Sequence, residues 1–439
     1  MYNLLVILFA KVLNFFANIL CKILHKNNGN MLGIIVKKLS PDILKSIKIN
    51  CPVIAVTATN GKTTTNNAIR YMLEKNGKKV VSNKEGNNME TGIITTLIKS
   101  CTLTGKIKAD FVTFEVDESY VPIIFKKIPL NTLVVLNFFR DQLDRNGEVE
   151  SLILKINEFL KTYEGNLVLN NDDPNVARLG RANENNKNVY YFSVDRYKYA
   201  KDYQTEAGEG KFCPFDKTKL QYEYYQYSHI GKFKCPKCGY GEEPLFTEIK
   251  DINLETKTFK ESDKEYETLA NNIYSIYNYA AVISVAKLYR LDAMEALRTF
   301  KLDNGRAEDV KVKDCETIIN LAKNPTGANV SLRTLNEDKD EKELLFVLND
   351  NSADGHDVSW IWDINFDVKN VTRIITSGKR AYDMAIRIKT SGFDINKIEA
   401  YLDLKEAVQA LYKTKTKKYV IANYTALQPT RREIFNERT

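Results

Sequence analysis

Apolar residues dominate positions 2–24, YNLLVILFAKVLNFFANILCKIL, with Lys11, Asn14 and Asn18 interrupting the run. Spacings of three and four put these polar residues on one helical face. The pattern predicts an amphipathic helix, either packed on the body of the protein or lying on a membrane surface. A spanning helix needs about 20 apolar residues, and the interruptions speak against one. The segment also lacks a basic leader region and a small-residue cleavage site, so a secretory signal is not expected. Further on, CPVIAVTA (51–58) reads as a buried strand. The pattern then turns helical through TTTNNAIRYMLEK and stops at Asn76-Gly77. Other strand candidates are ADFVTFEV (109–116), NTLVVLN (131–137), NLVLN (166–170) and NVYYFSV (188–194). Helical stretches separate several of them, which predicts an α/β fold with a largely parallel sheet and helices on both faces.

Residues 205–242 break this alternation and read as an inserted module rich in Cys, Tyr, Lys and Gly. A long helix is expected at about 271–290, and DNGRAED (303–309) looks like a domain boundary. Beyond it ELLFVLND (343–350), VTRIITSG (371–378) and KKYVIANY (417–424) restart the strand pattern. Three parts follow: an N-terminal helical segment (1–50), a central domain (51–302) carrying the insert, and a C-terminal α/β domain (303–439). A chain of 439 residues has room for these.

The composition, 44% hydrophobic and 27% charged, is that of a folded soluble protein. A net charge of +8 without an arginine-rich block argues against a nucleic-acid binder, while remaining compatible with anionic substrates or an anionic membrane surface. Seven scattered cysteines suit a reduced, cytoplasmic chain.

Thr57-Ala58-Thr59-Asn60-Gly61-Lys62-Thr63-Thr64 carries the clearest chemistry. It lies between a predicted strand and a predicted helix, the context a phosphate-binding loop requires. Gly61 lets the backbone turn, the amides at the helix start face an anion, Lys62 reaches phosphates, and the Thr63 hydroxyl suits Mg²⁺. Thr59, Asn60 and Thr64 complete the ATP-binding candidates. Val56 stands where the strict pattern wants a further glycine. Glu115, Asp117 and Glu118 close the strand FVTFEV, and Glu115 is the candidate second Mg²⁺ ligand. A solvated acidic loop is the plainer alternative.

TATNGKTTT resembles the TGTNGKTTT loop of the Mur ligase superfamily, with Ala58 in place of a glycine. LNNDDP (169–174) resembles that superfamily's LNADDP turn. NIYSIYNYAAVISVA (272–286) resembles its FNxYNxxAA helix, and so implies that Asn278 lies near the nucleotide. NKEGNNMETGI (83–93), NFFRDQLDRNGE (137–148), LAKNPTGAN (321–329), LNDNSADGHDVSWIWD (348–363), SGKRAYDMAIRIK (377–389) and NYTAL (423–427) resemble the MurT family in particular. That resemblance implies a Mur ligase-like central ATPase domain and a heterodimer with a GatD-type glutaminase. It also implies ATP-dependent amidation of the α-carboxyl of D-glutamate in the lipid II stem peptide, giving D-isoglutamine. The setting would be the cytoplasm, with the inner face of the membrane left open as a peripheral contact.

The chemistry is coherent with this. A carboxylate resists nucleophiles until phosphorylation gives it a leaving group, and Lys62 with Mg²⁺ stabilises the charge that develops. A glutaminase needs a Cys nucleophile and a His base. The three histidines, His25, His229 and His356, sit in no recognisable Cys–His signature, so ammonia is expected from a partner. The resemblance further implies that Asp357 orients the partner's histidine, completing a Cys–His–Asp triad in trans. Asp350, Asp354 and Asp363 are its rivals, and from the residues alone the segment is an acidic loop. Cys213-Pro-Phe-Asp216 and Cys235-Pro-Lys-Cys238 match the family's zinc ribbon, with Asp216 where the family has a fourth cysteine. Zn²⁺ on Cys213, Cys235 and Cys238, with Asp216 or water fourth, competes with a metal-free ribbon held by Tyr222, Tyr224, Tyr225 and Tyr227. Two other readings remain: a stand-alone Mur-type or folylpolyglutamate-type amino-acid ligase, and a non-catalytic ATP-binding assembly subunit.

Overall fold

The computed structural model describes residues 2–23, 30–83, 87–140, 149–204, 209–270, 272–301 and 306–437. His25 and parts of four segments singled out above, residues 84–86, 141–148, 205–208 and 303–305, lie outside them. The chain divides into two compact units, Met1–Phe138 with Glu150–Phe300, and Phe139–Val149 with Lys301–Thr439.

The first unit is built on a nine-stranded sheet. Its strands are β1 (Val53–Thr57), β2 (Val80–Ser82), β3 (Phe111–Glu115), β4 (Thr132–Val135), β5 (Asn166–Asn170) and β6 (Val189–Val194). A separate hairpin follows, β7 (Gln221–Tyr227) and β8 (Ile230–Lys234). The sheet then resumes with β9 (Leu245–Asn253), β10 (Thr258–Glu261) and β11 (Lys264–Glu267). Strand order is β2-β3-β1-β4-β5-β6-β9-β10-β11. Pairings are parallel from β2 to β9, and β9-β10-β11 is an antiparallel meander. Every residue of β1, β3 and β4 is buried, which is why these segments are continuous apolar runs and not alternating ones. In helix Ile273–Leu288 only Tyr274, Lys287 and Leu288 escape burial, so its apolar residues face all directions. Because β1 lies between β3 and β4, a crevice opens at its carboxyl end, the place where open α/β sheets hold ligands.

Two N-terminal helices, Tyr2–Ile23 and Met31–Leu39, join this unit. Gly33 allows a close crossing, since a Cβ there would lie 1.9 Å from Thr91 O on helix Glu90–Ser100. The buried Glu90 carboxylate accepts from Lys37 Nζ at 2.6 Å and Lys127 Nζ at 2.7 Å.

The second unit has six strands: β12 (Arg306–Val312), β13 (Cys315–Leu321), β14 (Lys342–Val347), β15 (Val371–Ser377), β16 (Ile398–Tyr401) and β17 (Lys417–Ala422). Their order is β12-β13-β17-β14-β15-β16, and all pairs but β12–β13 are parallel. Apolar clusters line both faces of the sheet, around Leu345 and Val420 on one and Leu344 and Ile421 on the other. Among the charged residues inside it, Glu343 accepts from Lys418 Nζ at 2.8 Å and from Arg373 Nη2 at 3.0 Å, and Lys342 Nζ donates to Leu335 O at 3.1 Å. β14 lies between β15 and β17, so the loop after it, from Leu348 onward, starts at this sheet's own switch point.

Candidate functional site

The loop 57–61 leaves β1 and enters helix Lys62–Lys75 through Gly61, whose φ of +88° favours glycine. A Cβ at Gly61 would lie 2.5 Å from Asn278 Oδ1, so glycine also lets helix Ile273–Leu288 approach the loop. Asn137, just past β4, fixes the loop from the other side. Its Oδ1 accepts from Asn60 N at 2.9 Å, its Nδ2 donates to Asn60 O at 3.0 Å, and its carbonyl accepts from Thr59 N at 3.1 Å.

Lys62 is buried at the start of its helix, where its ammonium donates to Ala58 O at 2.6 Å and Glu118 Oε2 at 3.1 Å. Glu115 ends β3 at the same sheet edge and is 3% exposed. Asn83 holds its backbone in both directions: Glu115 N donates to Asn83 Oδ1 and Asn83 Nδ2 donates to Glu115 O. Asn88 Nδ2 reaches Glu115 Oε1 at 3.3 Å, while Glu115 Oε2 is buried with no hydrogen-bond partner among the described residues. An orphaned buried carboxylate oxygen at the carboxyl end of β3, paired in register with the end of β1, fits a site that takes a divalent cation with phosphates. Asp117 instead caps the turn Glu118–Tyr120 through Ser119 N.

The turn after β5 carries the next layer. Asp172 is fully enclosed, accepting from Ser193 Oγ at 2.6 Å, Tyr277 OH at 2.7 Å and Val194 N at 3.0 Å. Burial pushes its carboxyl up to about 6. Asp173 accepts from Phe138 N and Asn175 N, and buried His229 puts Nε2 3.4 Å from Asp173 Oδ1. The inserted module is stapled to this turn. Gly231 N donates to Asp172 O, Asn171 Nδ2 to Gly241 O, and Tyr240 OH to Pro174 O. Tyr227 packs on Tyr274 and Tyr277, one residue before Asn278. The structure therefore puts His229 with Asp173 and the tyrosines at this joint.

Cys213, Asp216, Cys235 and Cys238 converge, their ligand atoms all lying within 4.8 Å of one another. Cys213 Sγ and Cys238 Sγ are 3.6 Å apart, and Cys235 Sγ lies 3.4 Å from Asp216 Oδ2. Thiolate sulfurs about 2.3 Å from a tetrahedral Zn²⁺ have comparable separations, so the residues fit the ion. Burial pushes the Cys213 thiol up to about 12, and the Thr218 amide holds Asp216 well below the usual carboxylate range.

In the second unit, the loop after β14 is organised by Asp354. Its buried carboxylate accepts from Thr425 N at 2.8 Å, Asn351 N at 3.2 Å and the Thr425 hydroxyl. Asp350 pairs with Arg380 at 3.5 Å. Asp357 is exposed, and its Oδ1 accepts from Ser359 N at 2.8 Å at the start of the short turn Ser359–Asp363. That hydrogen bond lowers its pKa and favours the ionised form. His356 beside it is exposed too.

Residues 56–235 match a family model described as the Mur ligase middle domain, and residues 321–427 match one described as MurT ligase C-terminal. The chain is 32% identical, over 92% of itself and 92% of the relative, to the lipid II isoglutaminyl synthase (glutamine-hydrolyzing) subunit MurT of Staphylococcus aureus strain COL. The chain belongs to the MurT family. It is accordingly a ligase. The MurT subunit of Streptococcus pneumoniae strain ATCC BAA-255 / R6 is 29% identical over 90% of each chain. Among solved structures, a pseudomurein peptide ligase type C from Methanothermus fervidus superposes with a TM-score of 0.70 at 22% identity, covering 94% of this chain and 85% of its own. MurF ligase from Thermotoga maritima in complex with ADP gives 0.59 at 16%, covering 92% and 84%. These two establish a Mur ligase-like α/β fold.

Three contacts of this MurT-family site escape a reading of the sequence, although Glu118 stands among the acidic candidates after FVTFEV and Asn137 and Asp172 lie in quoted segments. Glu118 faces Lys62, Asn137 braces the loop, and Asp172 ties Tyr277 to the module. The one available signal was position, since each residue closes a predicted strand or lies in the turn beyond one.

Proposed function

We propose that this chain is the synthetase subunit of a two-subunit amidotransferase that converts D-glutamate of the lipid II stem peptide to D-isoglutamine. The observation that carries the reading is the buried Lys62–Glu118 pair, with Glu115 buried at the end of β3 next to β1, in a chain of the MurT family. Thr59, Asn60, Gly61, Lys62, Thr63 and Thr64 would cradle the phosphates of ATP, and Asn278 would border the nucleotide. Thr63 and Glu115 would hold Mg²⁺, whose chemistry is to offset phosphate charge. Lys62 gives up Glu118 for the γ-phosphate and stabilises charge on the phosphoryl group in flight. The α-carboxylate oxygen takes that group, releasing ADP and leaving an acyl phosphate. Ammonia attacks the acyl carbon, inorganic phosphate leaves, and the amide results.

Ammonia comes from a GatD-type glutaminase subunit. Asp357, exposed and ionised, orients the partner's histidine, as a carboxylate does in a Cys–His–Asp triad. Cys213, Asp216, Cys235 and Cys238 hold a structural Zn²⁺ that clamps the module. The protein works in the cytoplasm.

Co-expression with a glutaminase subunit, followed by lipid II amidation assays, tests the reading. Asp357→Asn is expected to lose glutamine-dependent amidation by about 10⁴-fold and to keep ammonium-dependent amidation. Lys62→Ala is expected to lose both by about 10²-fold or more. A chain that joins an amino acid to a precursor on its own, without binding a glutaminase, would favour the stand-alone ligase and remove the role of Asp357.

A further inference from the structure

Helix Tyr2–Ile23 is turned the unexpected way round. Its polar Asn3 faces the body, with Nδ2 2.5 Å from Ser46 Oγ and Oδ1 accepting from Ser40 Oγ at 2.9 Å. Val6, Ile7 and Ala10 are buried on the same side, and Lys11 and Asn14 are half-buried. The outer face is apolar: Leu5 is 59% exposed, Phe9 51% and Phe15 62%, with Leu8 and Val12 exposed between them. The spacing 5, 8, 9, 12, 15 makes one stripe about 15 Å long. Met31 and Ile34 of the next helix are exposed as well. A helix surrounded by water places these residues the other way.

Charge identifies what covers the stripe. The first 41 residues contain five lysines, at 11, 22, 26, 37 and 38, and no aspartate or glutamate. Lys37 is paired with Glu90, whereas Lys38 is exposed. Two copies meeting through this face would bring lysines together. An anionic lipid surface supplies both an apolar layer and the opposite charge. Among the described residues no helix is long and apolar enough to cross a membrane. We propose that helix Tyr2–Ile23 lies in the plane of an anionic bilayer surface, with Leu5, Leu8, Phe9, Val12 and Phe15 among the acyl chains and Lys11 and Lys38 at the headgroups.

The proposal makes no use of the reaction, and its test contains neither ATP nor substrate, so the two succeed or fail separately. The full chain is pelleted with vesicles of equal parts phosphatidylglycerol and phosphatidylcholine, and with phosphatidylcholine alone. Binding is expected to the first and to be weakened by salt. Phe9→Asp with Phe15→Asp should lower the partition coefficient at least about tenfold. Lys11→Gln with Lys38→Gln should lower it by roughly fivefold for each lysine. Phe9 and Phe15 are exposed, so unchanged melting is expected; if that pair does misfold, Leu5→Ser serves in its place. Failure to pellet, or pelleting indifferent to these substitutions, overturns the proposal. So does sedimentation showing a self-associated wild type that Phe9→Asp renders monomeric without vesicle binding.

Discussion

Lys62 and Glu118 form an ion pair whose side chains are 8% and 6% exposed. Removing one member of such a pair strands the other charge away from water. Lys62→Met is therefore expected to cost about 3 kcal/mol of stability, measured by denaturant titration. Adding Glu118→Gln should recover much of it while leaving the ATP-dependent reaction dead. Asp172 gives a pH signature of the opposite sign to an ordinary salt-bridged carboxylate. Its folded pKa, about 6, lies above the usual 3.8, so between these values the folded state holds the extra proton. Stability from this group rises as pH falls from 7 towards 4. The stability advantage of wild type over Asp172→Asn should widen over that range in thermal melts. At this scale Gly61 and Lys62 were legible, because strand, loop and helix are contiguous in sequence. The contacts of Glu118 and Asn137 with residues 58–62 were not, because they depend on which strands become neighbours.

Among the elements, those buried on both faces stood out. β1, β3, β4 and helix Ile273–Leu288 are long apolar runs that water would penalise anywhere but in a core. The meander β9-β10-β11 did not stand out. Its strands, such as TFKE and KEYE, carry charges on the exposed side and only one or two buried residues each. The inserted module was visible by its cysteines, but its joint to the turn at Asp172 was not, since backbone groups of Gly231, Gly241 and Pro174 carry much of it. If the cysteine cluster holds zinc, the purified protein should contain about one equivalent, and chelation should lower its melting temperature. Asp216→Cys should then raise zinc affinity by at least about tenfold, because thiolate is the stronger donor. Metal analysis finding no zinc in either form would leave packing of the tyrosines as the module's support.

For the molecule as a whole, the α/β class could be read ahead of the structure, but the strand orders could not. Nothing in the sequence says that β1 sits between β3 and β4, or β14 between β15 and β17. Yet those orders set Lys62 and the Asp357 loop at the carboxyl ends of their respective sheets. The net charge of +8 says nothing of how charge is distributed, whereas the first 41 residues hold five lysines and no acidic residue.

The joint at Asp172 also bears on how the chain assembles. Its carboxylate depends on Ser193, 21 residues on, and on Tyr277, 105 residues on. A growing polypeptide presents β1, β3, β4 and β5 long before Tyr277 exists. Until then Asp172 lacks one of its three donors, the crevice lacks Asn278, and apolar strand faces lack the helix that covers them. Closing so long a loop is slow compared with local contacts. Nucleotide-binding competence should therefore be gained in one late step during synthesis, with the sheet waiting on the helix and not the reverse.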